Sequence, residues 1–244
     1  MKDVKTYTIG LLECDHVRPE FLSIAGDYRD MFPNLFHDVA PHYQFRFYDV
    51  VNGSFPEKAS DCDAYLSTGS SFSVYENVPW IHQLADFVRT LADQRIPYIG
   101  ICFGHQMIGH ALGGKVGKAP VGWCVGVHTF NLKKEKKWMD PVQDTFNLLM
   151  MCQDQILELP PNTEVLATTD DCPHAMILWK EHILGIQAHP EFPAAYDQTL
   201  MELRRERIGD EKVERGIDSL RSNIDDQLVA QWIVNFLSNL QESE

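Results

Sequence analysis

Residues 98–114 read YIGICFGHQMIGHALGG. An apolar run of strand character stops at Cys102, and a segment of helical spacing begins directly behind it. Phe103, Met107, Ile108, Ala111 and Leu112 share one side of a predicted helix over 103–112, and Gly113-Gly114 ends it. A buried strand that turns straight into a helix is a unit of the doubly wound sheet, whose ligands sit at the carboxyl ends of the strands. Cys102 stands at such an end. Glycines at 100 and 104 let backbone pass close by, so G-I-C-F-G has the logic of a nucleophile elbow. The helix start adds a positive dipole end that favours a thiolate and unpaired N–H groups that can hold an oxyanion. The alternative is a buried, inert cysteine closing a strand.

A thiol nucleophile needs a base, and the base needs an orienting group. Among ten histidines, His189 in ILGIQAHPEF (183–192) follows an apolar strand over 183–188 and so falls at a second strand end. Glu191 comes two residues later, behind Pro190. A carboxylate there can hold one ring nitrogen while the other faces the thiol. Alone, His189 reads as an ordinary hydrogen-bonded histidine; the pairing of the two segments gives it chemical meaning.

Elsewhere in the chain, β-rich runs are predicted at 6–12, 45–51, 64–68, 98–102, 125–132, 164–169, 175–179 and 183–188. A helix is expected over 80–94, started by Pro79. Strands alternating with helices predict an α/β fold, a doubly wound, mostly parallel sheet flanked by helices. Residues 114–132 read as hairpin-like strands with Gly turns, which adds a small antiparallel sheet. Residues 197–244 are charged and helical in pattern, with Leu228, Ile233, Phe236 and Leu237 packing a last helix. One domain over 1–244 is the economical reading.

Composition narrows the function. With 44% apolar and 23% charged residues the chain is ordinary globular material, able to bury a core without staples. A formal charge of −14 argues against nucleic acid and anionic membrane surfaces, which need a basic face. Six cysteines without a C-x-x-C pair form neither a disulfide framework nor a zinc knuckle, so no metal is expected. No apolar run approaches the ~18 residues of a membrane span, and the first residues lack a signal-peptide pattern. The expected compartment is cytoplasmic.

GICFGHQMIGHALGGKV (100–116) together with GIQAHPEF (185–192) closely resembles the class I glutamine amidotransferase domain, of the type joined to GMP synthetase, carbamoyl phosphate synthetase and anthranilate synthase. Two further stretches agree in order and spacing. YLSTGSSFSVYENVPW (65–80) is similar to the family's oxyanion loop, and MCQDQILELPP (151–161) to the loop that helps seat the substrate. The similarity spans roughly residues 60–195. It implies the flavodoxin-like fold of that family and a Cys102–His189–Glu191 triad acting on a γ-glutamyl amide. The backbone N–H of Phe103 and one from the Gly69–Ser70 turn would hold the oxyanion. Gln106 would contact bound glutamine, and backbone near Cys152 and Gln153 would orient its α-amino and α-carboxyl groups.

The departures are informative. The oxyanion loop reads Thr68-Gly69-Ser70-Ser71 where the family has Gly-Gly-Pro or Asn-Gly-Pro, and Cys152 stands where the family has His, with Met151 replacing a small polar residue. These changes suit a relative with another γ-glutamyl substrate, such as the γ-glutamyl peptidases that share the fold. Three readings follow: a glutaminase that releases ammonia or supplies it to a separate synthase subunit; a γ-glutamyl peptidase; and a non-catalytic protein that binds a γ-glutamyl metabolite. The first is the leading expectation, and an intact Cys, His and Glu weighs against the third. His105 and His110, five apart, cannot share one face as zinc ligands and are expected in solvated or capping roles. KKEKKW (133–138) reads as a solvated loop between strand and helix. No P-loop ending follows the glycines at 113, 114 and 117, so no nucleotide cofactor is expected.

Overall fold

The computed structural model describes residues 7–241; Thr6 of the first expected strand and residues 242–244 of the C-terminal segment lie outside them. In chain order the strands are β1 (Tyr7–Leu12), β2 (Tyr43–Tyr48), β3 (Ala64–Ser67), β4 (Tyr98–Ile101), β5 (Lys115–Lys118), β6 (Cys124–Leu132), β7 (Thr145–Cys152), β8 (Asp154–Glu158), β9 (Thr163–Thr168), β10 (Met176–Trp179) and β11 (Ile183–Ile186). The helices are α1 (Leu22–Ala25), α2 (Tyr28–Phe36), α3 (Pro79–Asp93), α4 (Phe103–Ala111), α5 (Ala194–Leu203), α6 (Arg205–Ile208), α7 (Asp210–Ser219) and α8 (Asp226–Gln241).

Nine strands form one sheet in the order β2-β1-β3-β4-β11-β10-β9-β6-β7. The five from β2 to β11 run parallel, so their carboxyl ends share one edge. The rest pair antiparallel, and β5 with β8 makes a small second sheet. The chain adopts the expected α/β architecture, with a large sheet flanked by helices and a small antiparallel companion; the large sheet is mixed, its parallel part running from β2 to β11. Side chains alternate across the parallel strands: Tyr65 and Tyr98 pack with α3 and α4, while Leu66, Ile99 and Ile101 pack with α2 and α8. Pro79 occupies the first turn of α3, and Trp80, Ile81, Leu84, Val88 and Leu91 form its buried stripe.

Four local expectations are corrected. β5 does not form a hairpin with β6; it pairs with β8, and β6 pairs with β7 and β9. Residues 151–161 are not one loop: the chain finishes β7 at Cys152, bends at Gln153 and continues as β8. An apolar run such as FNLLMM carries no period that separates strand from helix, and only pairing with β6 settles it. The KKEKKW stretch joins two strands rather than a strand and a helix, and its Lys134 and Lys136 both pair with Glu164. His105 is neither solvated nor a cap. It is fully buried beneath Gly185, and burial lowers its pKa to about 3, so it stays neutral.

Candidate active site

β4 ends at Ile101, and the next residue is bent sharply. Cys102 has φ +50° and ψ −97°, a left-handed conformation that a side chain with a Cβ adopts only under strain, and it serves as the N-cap of α4. Its N–H donates to the Ile186 carbonyl across the β4–β11 pair (2.9 Å), which ties the bend to the neighbouring strand. The bend also needs close backbone approach. A Cβ on Gly104 would strike the Ser67 hydroxyl and lie 2.9 Å from the Ser67 carbonyl; one on Gly100 would strike the Gly104 carbonyl.

His189 arrives from β11, the strand beside β4. Its N–H donates to the Leu149 carbonyl (2.8 Å), an isolated antiparallel bridge to β7 that fixes the chain after Gln187. One ring nitrogen, Nδ1, lies 2.8 Å from Glu191 Oε1. The imidazole stacks on Phe192 at 3.9 Å between centroids and 8° between planes, and Gly69 closes the ring from another side, since a Cβ there would sit 2.6 Å from its Cε1. Burial disfavours charge on this ring, but the adjacent Cys102 sulfur and the Glu191 carboxylate outweigh it and push the pKa up to about 10. Cys102 and His189 line the same cleft. The sheet therefore brings together the three side chains that the sequence placed at two distant sites.

The loop after β3 comes within reach of the cysteine. Ser70 and Ser71 line the cleft with Cys102, and the loop is pinned by Thr68 Oγ1, which accepts from the Cys14 N–H (2.9 Å), and by Asp15, which accepts from the Ser71 N–H (2.7 Å). Among the described residues the N–H groups of Gly69, Ser70 and Phe103 donate to no hydrogen bond, that of Phe103 as in any first helical turn. Gln106 is buried rather than displayed on its helix. Its amide donates to the Asp154 carbonyl (2.7 Å), and it lines an adjoining cleft, which shares Cys102, Ser70, Ser71 and Met151 with the first, together with Cys152 and Gln153. Gln187 donates to the Cys102 sulfur at 3.6 Å, a contact that sequence reasoning missed because a glutamine in a strand end carries no motif of its own.

Other residues that the sequence did not mark lie near His189. Asp197, one turn into α5, is fully buried, and neither carboxylate oxygen has a well-formed hydrogen bond. Burial raises its pKa to about 7, against the pull of His189, Arg204 and the Gly126 amide. A carboxyl that is easier to protonate when folded stabilises the protein at low pH and loses that contribution as pH rises from the ordinary carboxylate range through 7. Asp197→Asn is expected to flatten the fall in stability between pH 5 and pH 8, which urea midpoints at the two values measure; an unchanged slope would show that Asp197 is already ionised at pH 5. The cluster Glu13, His16 and Asp27 brings three donor atoms together, but it is partnered internally: Arg29 takes Glu13 at 2.8 Å and 3.0 Å, while His16 bridges Asp27 and Asp49.

Comparison with known proteins places this geometry. Residues 51–203 match the family model described as glutamine amidotransferase class-I. A glutamine amidotransferase-like protein of Schizosaccharomyces pombe is 28% identical over 95% of this chain and 98% of its own length. Gamma-glutamyl peptidase 4 of Arabidopsis thaliana is 33% identical over 68% of each chain. In fold, the crystal structure of a glutamine amidotransferase from Thermotoga maritima superposes with a TM-score of 0.74 at 17% identity, covering 98% of this chain and 99% of the other. With its family match spanning the Cys102 bend, the loop after β3 and the His-Pro-Glu segment, the chain belongs to the class I glutamine amidotransferase family.

Proposed function

We propose that this protein is a cysteine-dependent amidohydrolase acting on γ-glutamyl amides, with γ-glutamyl peptides preferred to free glutamine. The observation that carries the chemistry is the strained Cys102 in one cleft with His189, whose Nδ1 is held by Glu191 at 2.8 Å. A binding protein has no use for a nucleophile elbow that stores strain. The Cys102 thiolate attacks the γ-carbonyl, and the oxyanion takes the free N–H groups of Phe103 and Ser70. The tetrahedral adduct collapses with expulsion of the amine, which takes its proton from the His189 imidazolium, leaving a γ-glutamyl thioester on Cys102. Once the sulfur is acylated its charge is gone, so the imidazole loses part of what raised its pKa and serves as base for the hydrolytic water. Glutamate leaves and the thiol is restored.

The preference for peptides rests on the second half of the cleft. Gln106, Cys152 and Gln153 line the part of the cleft that matches the family's seat for the glutamyl unit. In the adjoining part Phe21, Phe192, Leu200 and Leu203 line space that the leaving ammonia of glutamine would not use. Glutamate release from glutamine and from γ-glutamyl dipeptides tests the reading: dipeptides are expected to win by more than an order of magnitude in kcat/KM. Preference for glutamine instead would favour a glutaminase that serves a separate synthase subunit, and no turnover of either by folded protein would favour a binding protein.

The raised His189 pKa predicts the pH profile. The charged ring is needed to protonate the leaving amine, so kcat/KM should decline on an alkaline limb near pH 10. Glu191→Gln removes one of the two groups that raise the ring and loosens its orientation. The limb should move to lower pH, with a smaller loss of rate than removal of Cys102 causes. An alkaline limb that does not move would separate Glu191 from the imidazole.

A further inference from the structure

The charges around the cleft are not equally engaged. Asp15 accepts from the Ser71 N–H, Asp154 from the Ser73 and Tyr75 hydroxyls, and Glu76 from the Ser73 N–H (2.6 Å), so the carboxylates at the cleft are committed to holding its loops. The cations are not. Arg205 is tied into Glu202, Asp210 and Glu214, whereas its neighbours Arg204 and Arg207 form no ion pair among the described residues. Both instead lie over the Trp123 ring, at 5.8 Å and 5.4 Å from its centroid. Trp123 is itself anchored by Lys212, which donates to its carbonyl at 2.9 Å. The join of α5 to α6 and α6 itself thus present two guanidinium groups, Arg204 and Arg207, to the cleft of a protein with a formal charge of −14.

Arg204 and Arg207 line both halves of the cleft, and Cys102 lines both with them. Arg18 adds a third cation on the apolar half. A guanidinium in no ion pair, lying over an aromatic ring, suits a planar anion. Resting on the proposed γ-glutamyl chemistry, we infer that Arg204 and Arg207 are specificity-determining residues that bind the carboxylate of the leaving group, so that the substrate is a γ-glutamyl amino acid or peptide with a free C-terminal carboxylate. Glutamine, which expels only ammonia, cannot use this site.

The test compares a γ-glutamyl dipeptide with its C-terminal amide. Calorimetric binding is measured on the full-length Cys102→Ala protein, and kcat/KM on the wild type. The acid is expected to bind at least tenfold more tightly than the amide, with the ratio shrinking as NaCl is raised, because the arginines are partly exposed. In Arg204→Gln/Arg207→Gln added to the Cys102→Ala background the acid-to-amide ratio should fall towards one. Arg204→Lys, which keeps charge but not the planar fork, should retain part of it. Equal binding of acid and amide would overturn the inference. So would an equal loss of affinity for the dipeptide and for glutamine in the double variant, since the arginines would then serve the α-carboxylate common to both. Discrimination in binding without turnover of any γ-glutamyl compound would leave this inference standing and refute the proposed reaction.

Discussion

Cys102→Ala is expected to lose ~10³-fold or more in kcat/KM on a γ-glutamyl substrate while unfolding at nearly the wild-type denaturant midpoint. The sulfur faces the cleft, where it meets the His189 ring and the long contact from Gln187, so the change removes one atom at the cleft wall and leaves the rest of the packing in place. The backbone at φ +50° remains strained in the alanine variant, because Ala still carries a Cβ. A glycine at the same position separates strain from chemistry. At an ordinary position glycine is about 0.5–1 kcal/mol less stable than alanine, for reasons of unfolded-chain entropy. Relief of a strained dihedral is worth about 1–3 kcal/mol. Relief of strain therefore outweighs the entropy lost, and Cys102→Gly should be at least as stable as Cys102→Ala, with both inactive. Activity retained within tenfold in Cys102→Ala would remove the residue from the mechanism; a glycine variant clearly less stable than the alanine one would show that the bend holds no strain.

The parts of this site that were legible in sequence share one property: their geometry is local. G-I-C-F-G declares its bend because the flanking glycines and the helix pattern lie within a few residues. His-Pro-Glu declares its hydrogen bond because the ring and the carboxylate are two residues apart. What was not legible depends on register across the sheet. Gln187 meets the Cys102 sulfur only because β11 pairs with β4 so that Ile186 faces Ile101. Asp197 and Arg204 look like ordinary exposed charges of an acidic helical segment, and the packing of α5 against β7 and α7 buries the first and aims the second at the cleft. The same holds for His105, whose burial follows from α4 lying directly over Gly185. The miscast 151–161 loop has another cause, an apolar run without a period.

The elbow also makes a prediction in which two general rules disagree. Gly104 occupies the second position of α4, and replacing a helical glycine by alanine ordinarily stabilises by up to about 1 kcal/mol. Here the new methyl would be driven onto the Ser67 hydroxyl and held 2.9 Å from the Ser67 carbonyl, which belongs to the central strand β3 and cannot swing aside. Ser67 is further fixed by its hydroxyl contact with Tyr98, fully buried in the next strand. Overpacking of this kind costs about 1–3 kcal/mol, occasionally more, so it exceeds the propensity gain, which is smallest in a first helical turn whose amides have no intrahelical partner. Gly104→Ala should therefore lower stability by roughly 2 kcal/mol. It should also lower kcat/KM by about two orders of magnitude, because moving α4 off β3 by even an ångström carries the Cys102 sulfur and the Phe103 N–H with it. Gly109, on the same helix, would meet side chains of the small second sheet, Ile156 at 2.9 Å and Val116 at 3.1 Å, rather than the backbone of β3. Gly109→Ala is the control expected to fold and turn over near the wild-type level, and equal behaviour of the two variants would show that the close approach of Gly104 to β3 does not position the nucleophile.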